Sequence, residues 1–147
     1  MVPPIVIGFR HTGIIVKQME SSMQFYEDIL GLEVVQDYKD DSNYINDVLG
    51  LSGGNIRMIK LKTIDGYIIE LLEYLNHPTE IVKTPFYNVG NCHLAFTVHS
   101  ADEMYEKLLD KGIEIISRPL LSSEKTAIVF FCCDPNGIRV ELVEMVK

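Results

Sequence analysis

The sequence predicts an α+β fold of two tandem β-α-β-β-β modules, and three observations predict it. The order of strand and helix signals in residues 9–74 recurs in residues 91–145. Each half places a histidine near its opening, His11 and His93, and a glutamate in its closing strand, Glu70 and Glu141. Each helix signal stops at a glycine, Gly31 and Gly112, of the kind that ends a helix in the left-handed conformation. The expected organisation is one domain over residues 1–147, with module one at 9–74, a linker at 75–90 and module two at 91–145.

The elements follow in order. Residues 9–16 are rich in β-branched residues that alternate, which predicts a strand. Ser21-Ser22-Met23-Gln24 reads as a capping box, followed by an apolar stripe of Phe25, Tyr26, Ile29 and Leu30 at helical spacing. Leu32–Gln36 reads as a second strand. Asn55–Lys62 and Gly66–Tyr74 read as a hairpin around Thr63-Ile64-Asp65-Gly66, where Asp-Gly is the turn signal. Module two repeats this with a strand at 91–98, a capping box at Ser100-Ala101-Asp102-Glu103 and a stripe of Met104, Tyr105, Leu108 and Leu109. A strand at Ile113–Ile116 and a hairpin of Thr126–Cys133 and Ile138–Met145 around Asp134-Pro135-Asn136-Gly137 complete it. The halves differ mainly between helix and last strand. Gly31 and Glu70 are 39 positions apart, Gly112 and Glu141 only 29, and the excess falls in the Gly-, Asn- and Asp-containing stretch Tyr38–Gly54. That stretch reads as a loop forming a lid or pocket wall.

Hydrophobic residues make up 47% of the 147 residues, enough for a core. A net charge of −8 disfavours nucleic acid and anionic membranes as partners. No apolar run approaches the ~20 residues that cross a bilayer. Met1–Val6 lacks the basic region and long apolar run of an export signal, and the three cysteines, Cys92, Cys132 and Cys133, are an odd number. A cytoplasmic protein with reduced thiols is expected, its cysteines acting as small hydrophobes because no C-x-x-C spacing is present.

Strand alternation sorts the repeated polar residues by face. The module-one helix should cover Ile14, Val16, Ile69 and Leu71, leaving His11 and Glu70 on the open face. In module two the helix should cover Leu94, Phe96, Val98, Val140 and Leu142, leaving His93 and Glu141 open beside Ala95, Thr97, Arg139 and Val143. A carboxylate on a strand flanked by Ile and Leu is costly to bury unless it is paired or bound to a cation. Two imidazoles and two carboxylates suit one divalent ion of the Zn, Ni, Co, Mn or Fe kind, and four protein ligands in an octahedral shell leave two positions for substrate. Glu73 and Glu144 also repeat but lie three residues further on, facing the other way, and are expected in solvent. His77 and His99 are expected to be structural or surface residues.

Paired modules with this His…Glu…His…Glu order resemble the vicinal oxygen chelate superfamily, which includes glyoxalase I, methylmalonyl-CoA epimerase, extradiol dioxygenases and the fosfomycin and bleomycin resistance proteins. The resemblance is carried by His11–Val16, Phe25–Leu32, Ile69–Leu71, His93–Val98 and Asp134–Leu142. It implies a curved eight-stranded mixed sheet, four strands per module, around a metal-bearing cavity, and a homodimer. Whether one site draws its ligands from one chain or two is left open, because modules are exchanged between subunits in this superfamily. A complete set of four ligands is similar to glyoxalase I and the epimerase. Four residues beyond the first two ligands, where glyoxalase I carries the Arg and Asn that hold glutathione, this chain has Ile15 and Tyr74. Where the epimerase has Gly-Ala-His-Gly, it has Leu120–Lys125.

The expected function is that of a metal-dependent, glyoxalase-like lyase or isomerase acting on a small oxygenated substrate by proton transfer next to a carbonyl, through a metal-stabilised enediolate. Glu141 or Glu70 is the expected proton carrier, with Asp47 of the inserted stretch as a second candidate. Arg57, on the third strand with Ile59 and Leu61, is a candidate for pairing with a substrate carboxylate, with an exposed surface position as the alternative. Tyr74, Thr97 and Phe131 are candidate pocket-lining residues. The alternatives are an Fe- or Mn-dependent extradiol-type dioxygenase and a non-catalytic drug- or metabolite-binding resistance protein.

Overall fold

The structure, a computed structural model, describes residues 1–147. The chain forms two compact units, Met1–Thr79 and Glu80–Lys147, which divide inside the expected linker. The first contains β1 (Thr12–Ile15), α1 (Met19–Met23) running into a π-helical turn (Gln24–Ile29), β2 (Glu33–Asp40), α2 (Asn43–Leu49), β3 (Ile56–Lys62) and β4 (Ile68–Tyr74). The second contains β5 (His93–Thr97), α3 (Ala101–Asp110), β6 (Leu120–Leu121), β7 (Ala127–Cys133) and β8 (Arg139–Met145). Eight strands form two four-stranded mixed sheets, ordered β1-β4-β3-β2 and β5-β8-β7-β6. In each, the first and last strands of the module pair in parallel and the other pairs are antiparallel.

One face of each sheet is sealed by its helix. In module one Ile14, Val16, Ile59, Leu61, Ile69 and Leu71 are buried, as are Met19, Phe25, Tyr26 and Ile29 of the helical segment. In module two Phe130, Cys132, Val140 and Leu142 are buried with Ala101 and Leu108 of α3, and the Tyr105 ring meets Phe130 edge-on at 5.6 Å. Burying each large side chain contributes about 1.5–3 kcal/mol, so these faces hold each module together. Burial of Cys132, more than its neighbours Cys133 and Asp134, pushes its thiol pKa up to about 12, consistent with its use as a core hydrophobe.

The helix starts correct two expectations. α1 begins at Met19, before the Ser21 box, and Gln18 at its N-cap makes no side-chain capping bond. The Ser21 hydroxyl instead donates back to the Gln18 carbonyl at 3.1 Å. The capping acceptor comes from the sheet: the Met19 N–H donates to Glu73 Oε2 at 3.0 Å. Module two uses the same device, with the Ala101 N–H donating to Glu144 Oε2 at 2.7 Å. There Ser100 also caps, accepting from the Glu103 N–H at 3.2 Å. The repeated Glu73 and Glu144 are therefore half-buried helix caps and not solvated strand residues. A carboxylate at a helix N-terminus satisfies an orphan N–H and opposes the helix dipole. Glu144→Ala is expected to lower unfolding free energy by about 1 kcal/mol in urea titration, with metal content unchanged.

Two further segments depart from expectation. The strand expected at Ile113–Ile116 is reduced to one bridge, Ile115 to Cys132, and the paired edge strand lies at Leu120–Leu121. The Phe131 N–H is taken by the Ser117 hydroxyl at 3.0 Å, and Pro119 has no N–H to offer a ladder, so regular pairing cannot run through this stretch. The inserted Tyr38–Gly54 stretch is not a plain loop. Its β2 end is longer than expected, and α2 is started by Ser42, whose hydroxyl accepts from the Ile45 N–H, and stopped by Gly50 at φ 67°. Asn46 staples the segment: its Oδ1 accepts from the Gly54 N–H at 2.6 Å and its Nδ2 donates to the Gly54 carbonyl at 3.2 Å. Ile45 then packs with Ile56 and Met58, against Tyr38, Leu51, Leu72 and Tyr74. These strand residues lie on the face that α1 leaves bare, so α2 roofs one end of it.

Candidate metal centre

Each module brings one of the predicted histidines to its predicted glutamate. In module one His11 precedes β1, and Gly13 of β1 pairs with Glu70 of β4. His11 Nε2 lies 3.5 Å from Glu70 Oε1. In module two Ala95 of β5 pairs with Glu141 of β8, and His93 Nε2 lies 3.1 Å from Glu141 Oε2. The geometry follows from parallel pairing: the histidine two residues before the strand position opposite the glutamate falls on the same face. No third His, Cys, Asp or Glu joins either pair to form a larger cluster.

Each pair has the spacing of a direct His–Glu hydrogen bond or ion pair, and the same spacing is compatible with two ligands of one divalent ion. Ligand bonds of ~2.1 Å place two ligands of one ion about 3.0 Å apart at a right angle and about 3.4 Å apart at a tetrahedral one. The two observed separations, 3.1 and 3.5 Å, fall at those values. Imidazole nitrogen and carboxylate oxygen form the mixed donor set expected for Zn, Ni, Co, Mn or Fe. Glu70 is only 8% exposed, a burial for which Lys60, 3.6 Å away, already supplies one cationic partner.

The surroundings of the two pairs differ. Across the hairpin, Glu70 sits opposite Lys60 of β3, and Lys60 Nζ lies 3.6 Å from Glu70 Oε2. Counting outward from the Asp65-Gly66 turn gives this register, and that was the sequence signal for Lys60. At the corresponding position of module two Glu141 sits opposite Phe131, whose ring meets His93 edge-on at 5.4 Å. Tyr38 also belongs to the open face of module one. Its hydroxyl donates to Met58 Sδ at 3.3 Å, and its pKa is raised by burial first and by the Glu70 carboxylate second.

The other sequence candidates are placed as follows. Arg57 shares the helix-covered face with Ile59 and Leu61, the side opposite Glu70. Its Nε and Nη2 donate to Asp37 at 3.2 and 2.9 Å, and its Nη1 donates to Glu20 at 2.8 Å. It ties α1 to β2 and β3, and the cation beside Glu70 is Lys60 instead. Hydrogen bonds from Arg57 are the first cause holding the Asp37 carboxyl below its ordinary 3.8. A carboxylate depressed in the folded state stabilises above its ordinary pKa and loses that contribution as pH falls through the folded value. Arg57→Met is therefore expected to be less stable than wild type at pH 7, with the two stabilities converging below about pH 4 in denaturant titrations across pH.

Tyr74 is on the Glu70 face but lies under α2 and meets the His77 ring edge-on at 6.3 Å. Thr97 is exposed, pairs with Val143 and lies two residues along β5 from Ala95, the partner of Glu141. Phe131 flanks the module-two pair directly. Asp47 is exposed on α2, outside the Ile45 cluster.

A β-α-β-β-β unit used twice, with a His–Glu pair on the uncovered face of each copy, defines a class of tandem-module α+β proteins. The chain belongs to the glyoxalase/bleomycin resistance protein/dioxygenase superfamily, whose family model matches residues 8–142. It is 32% identical over 139 residues to the uncharacterized protein YwkD of Bacillus subtilis, a match covering 93% of this chain and 96% of that one. It is 29% identical to a probable lactoylglutathione lyase of Synechocystis, covering 91% and 92% of the two chains. Among solved structures, a glyoxalase family protein from Bacillus cereus superposes with a TM-score of 0.90 at 23% identity, covering 100% of this chain and 99% of that one, and so shares the fold. No helix is long and apolar enough to cross a membrane.

Proposed function

We propose that the protein is a divalent-metal-dependent lyase or isomerase that moves a proton on a carbon next to a carbonyl of a small oxygenated substrate. His11, Glu70, His93 and Glu141 would hold the ion, one pair from each module, in a homodimer. The observation that carries this reading is the pairing of a histidine with a glutamate at equivalent places on the open face of two copies of one module. The ion would supply Lewis acidity to the carbonyl oxygen and lower the cost of charge developing there.

The protein's own groups then divide the work. Glu70 is held between His11 and Lys60, with its side chain 11% exposed; Glu141 has His93 as its hydrogen-bonding partner and is 23% exposed. The freer carboxylate is the better proton carrier, so Glu141 would be the ligand that lets go when substrate binds, taking the proton from carbon and returning it, while Glu70 stays in place. Phe131, opposite Glu141 across the ladder and edge-on to His93, gives that carboxylate an apolar neighbour. Curated relatives named lactoylglutathione lyase support lyase chemistry. The apolar Ile15 and the roofed Tyr74 offer no charged group for a glutathione carboxylate, which favours a smaller substrate.

The test is solvent exchange in D2O followed by proton NMR. The protein loaded with Ni, Co, Mn, Zn or Fe is offered hydroxyacetone, dihydroxyacetone and a glutathione thiohemiacetal. Metal-dependent deuterium entry next to the carbonyl supports the proposal, and entry with the small compounds but not with the thiohemiacetal directs it away from glutathione. Oxygen uptake with a catechol by the Fe-loaded protein, without any exchange, overturns it in favour of a dioxygenase. Equal ligand binding by metal-loaded and metal-free protein, again without exchange, overturns it in favour of a sequestering protein.

A further inference from the structure

We infer that Lys60 is the anion anchor of this site and that the substrate carries a carboxylate beside the oxygens it presents to the ion. The inference rests on the metal reading above and goes beyond it by assigning the substrate's charge.

The argument starts from register. Lys60 is directly opposite Glu70 across the β3–β4 ladder, on the face that α1 leaves uncovered. Its side chain is 22% exposed, so its ammonium is held near the sheet and not extended into solvent, and Nζ lies 3.6 Å from Glu70 Oε2. The scaffold does not require a cation there, because the corresponding position of module two is Phe131. Nor is the charge shared with other cations of the face. Lys62 is paired with Glu33 at 3.4 Å, and Arg57 is on the opposite face with two carboxylates of its own.

Charge balance then selects the ligand. Two neutral imidazoles and two carboxylates neutralise a dication. Once Glu70 serves the ion, the Lys60 ammonium is left as one surplus positive charge, partly desolvated and near a second cation. Such a charge is costly without a counter-ion. A bound group of one negative charge restores neutrality; a lysine ammonium, a compact point charge, suits a carboxylate oxygen. A dianionic phosphate would overshoot the balance. The substrate class assigned is therefore a small 2-oxo or 2-hydroxy carboxylate, or a close relative with its acid group next to the chelating oxygens.

The test uses oxamide and oxamate, two planar chelators of nearly one shape carrying no charge and one negative charge. Co-loaded wild type, Lys60→Met and Lys60→Arg are titrated with each, following the visible absorption of the cobalt, after metal content has been measured on all three. The expected result is equal metal content, an oxamate-over-oxamide preference about tenfold weaker in Lys60→Met than in wild type, and recovery of most of that preference in Lys60→Arg. The same preference in wild type and Lys60→Met overturns the inference while leaving the metal reading intact. A Lys60→Met protein that loses metal, or loses both ligands equally, also overturns it, by showing that Lys60 only positions Glu70. A wild-type protein that takes up no cobalt overturns the metal reading itself, before any chelator is added.

Discussion

Glu141→Gln is expected to slow carbon-proton exchange by about 10²–10⁴-fold, the range that a positioned general base contributes. Glutamine keeps the size of the side chain and an oxygen able to face His93, but it cannot take a proton. The sheet should not notice the change: Glu141 points away from the helix-covered face, and its neighbours Val140 and Leu142 supply the burial in β8. The urea midpoint of the metal-free variant should therefore match that of metal-free wild type. Glu70→Gln should separate from it. Glu70 is the more enclosed of the two carboxylates, with His11 at one oxygen and the Lys60 ammonium at the other, so its replacement should show first in metal affinity. The measurement is deuterium exchange by NMR, normalised to bound metal. If Glu141→Gln exchanges at the wild-type rate per bound ion, Glu141 is not the proton carrier.

Phe130→Ala is expected to destabilise module two by about 3–5 kcal/mol, the usual cost of emptying a large aromatic site in a packed core. The Phe130 side chain is fully buried, sits opposite Leu142 across the β7–β8 ladder and meets Tyr105 of α3 edge-on. Typical domains are stable by only ~5–15 kcal/mol, so one such change removes a large share of the total. Its neighbour Phe131 faces the other way, beside His93. Phe131→Ala should therefore cost much less stability while changing ligand binding. Urea unfolding followed by circular dichroism separates the two. Equal losses from the two variants would contradict the assignment of faces.

The face assignments were legible in the sequence because a strand has only two sides. Alternation placed His11 and Glu70, and His93 and Glu141, on the uncovered faces, and the structure brings each pair together. Alternation could not say what the other side of a strand would meet. Glu73 and Glu144 looked solvated because their side was known but their height along the helix was not; that height puts them at the helix starts. Arg57 was read on the correct face, with Ile59 and Leu61, but that face is the helix side, where Asp37 and Glu20 satisfy it. Lys60 went unread because its role depends on hairpin register and not on spacing within one strand. The inserted helix was hidden by loop-like composition. Ser42 and Gly50 mark its ends, yet at seven residues it is too short to show a clear period and relies on Ile45 burial and the Asn46 staple.

The central claim is that two His–Glu pairs, one per module, together serve one divalent ion. Metal stoichiometry and affinity tests it most directly: elemental analysis of protein purified without chelator, then calorimetric titration of the metal-free protein with Ni and Zn. The account predicts one tightly held ion per chain. It also predicts that His11→Ala and His93→Ala each remove that single ion, as the proposed four-ligand shell requires. Two independent weak sites per chain, each abolished by only one of the two substitutions, would contradict it, as would full metal content in either variant.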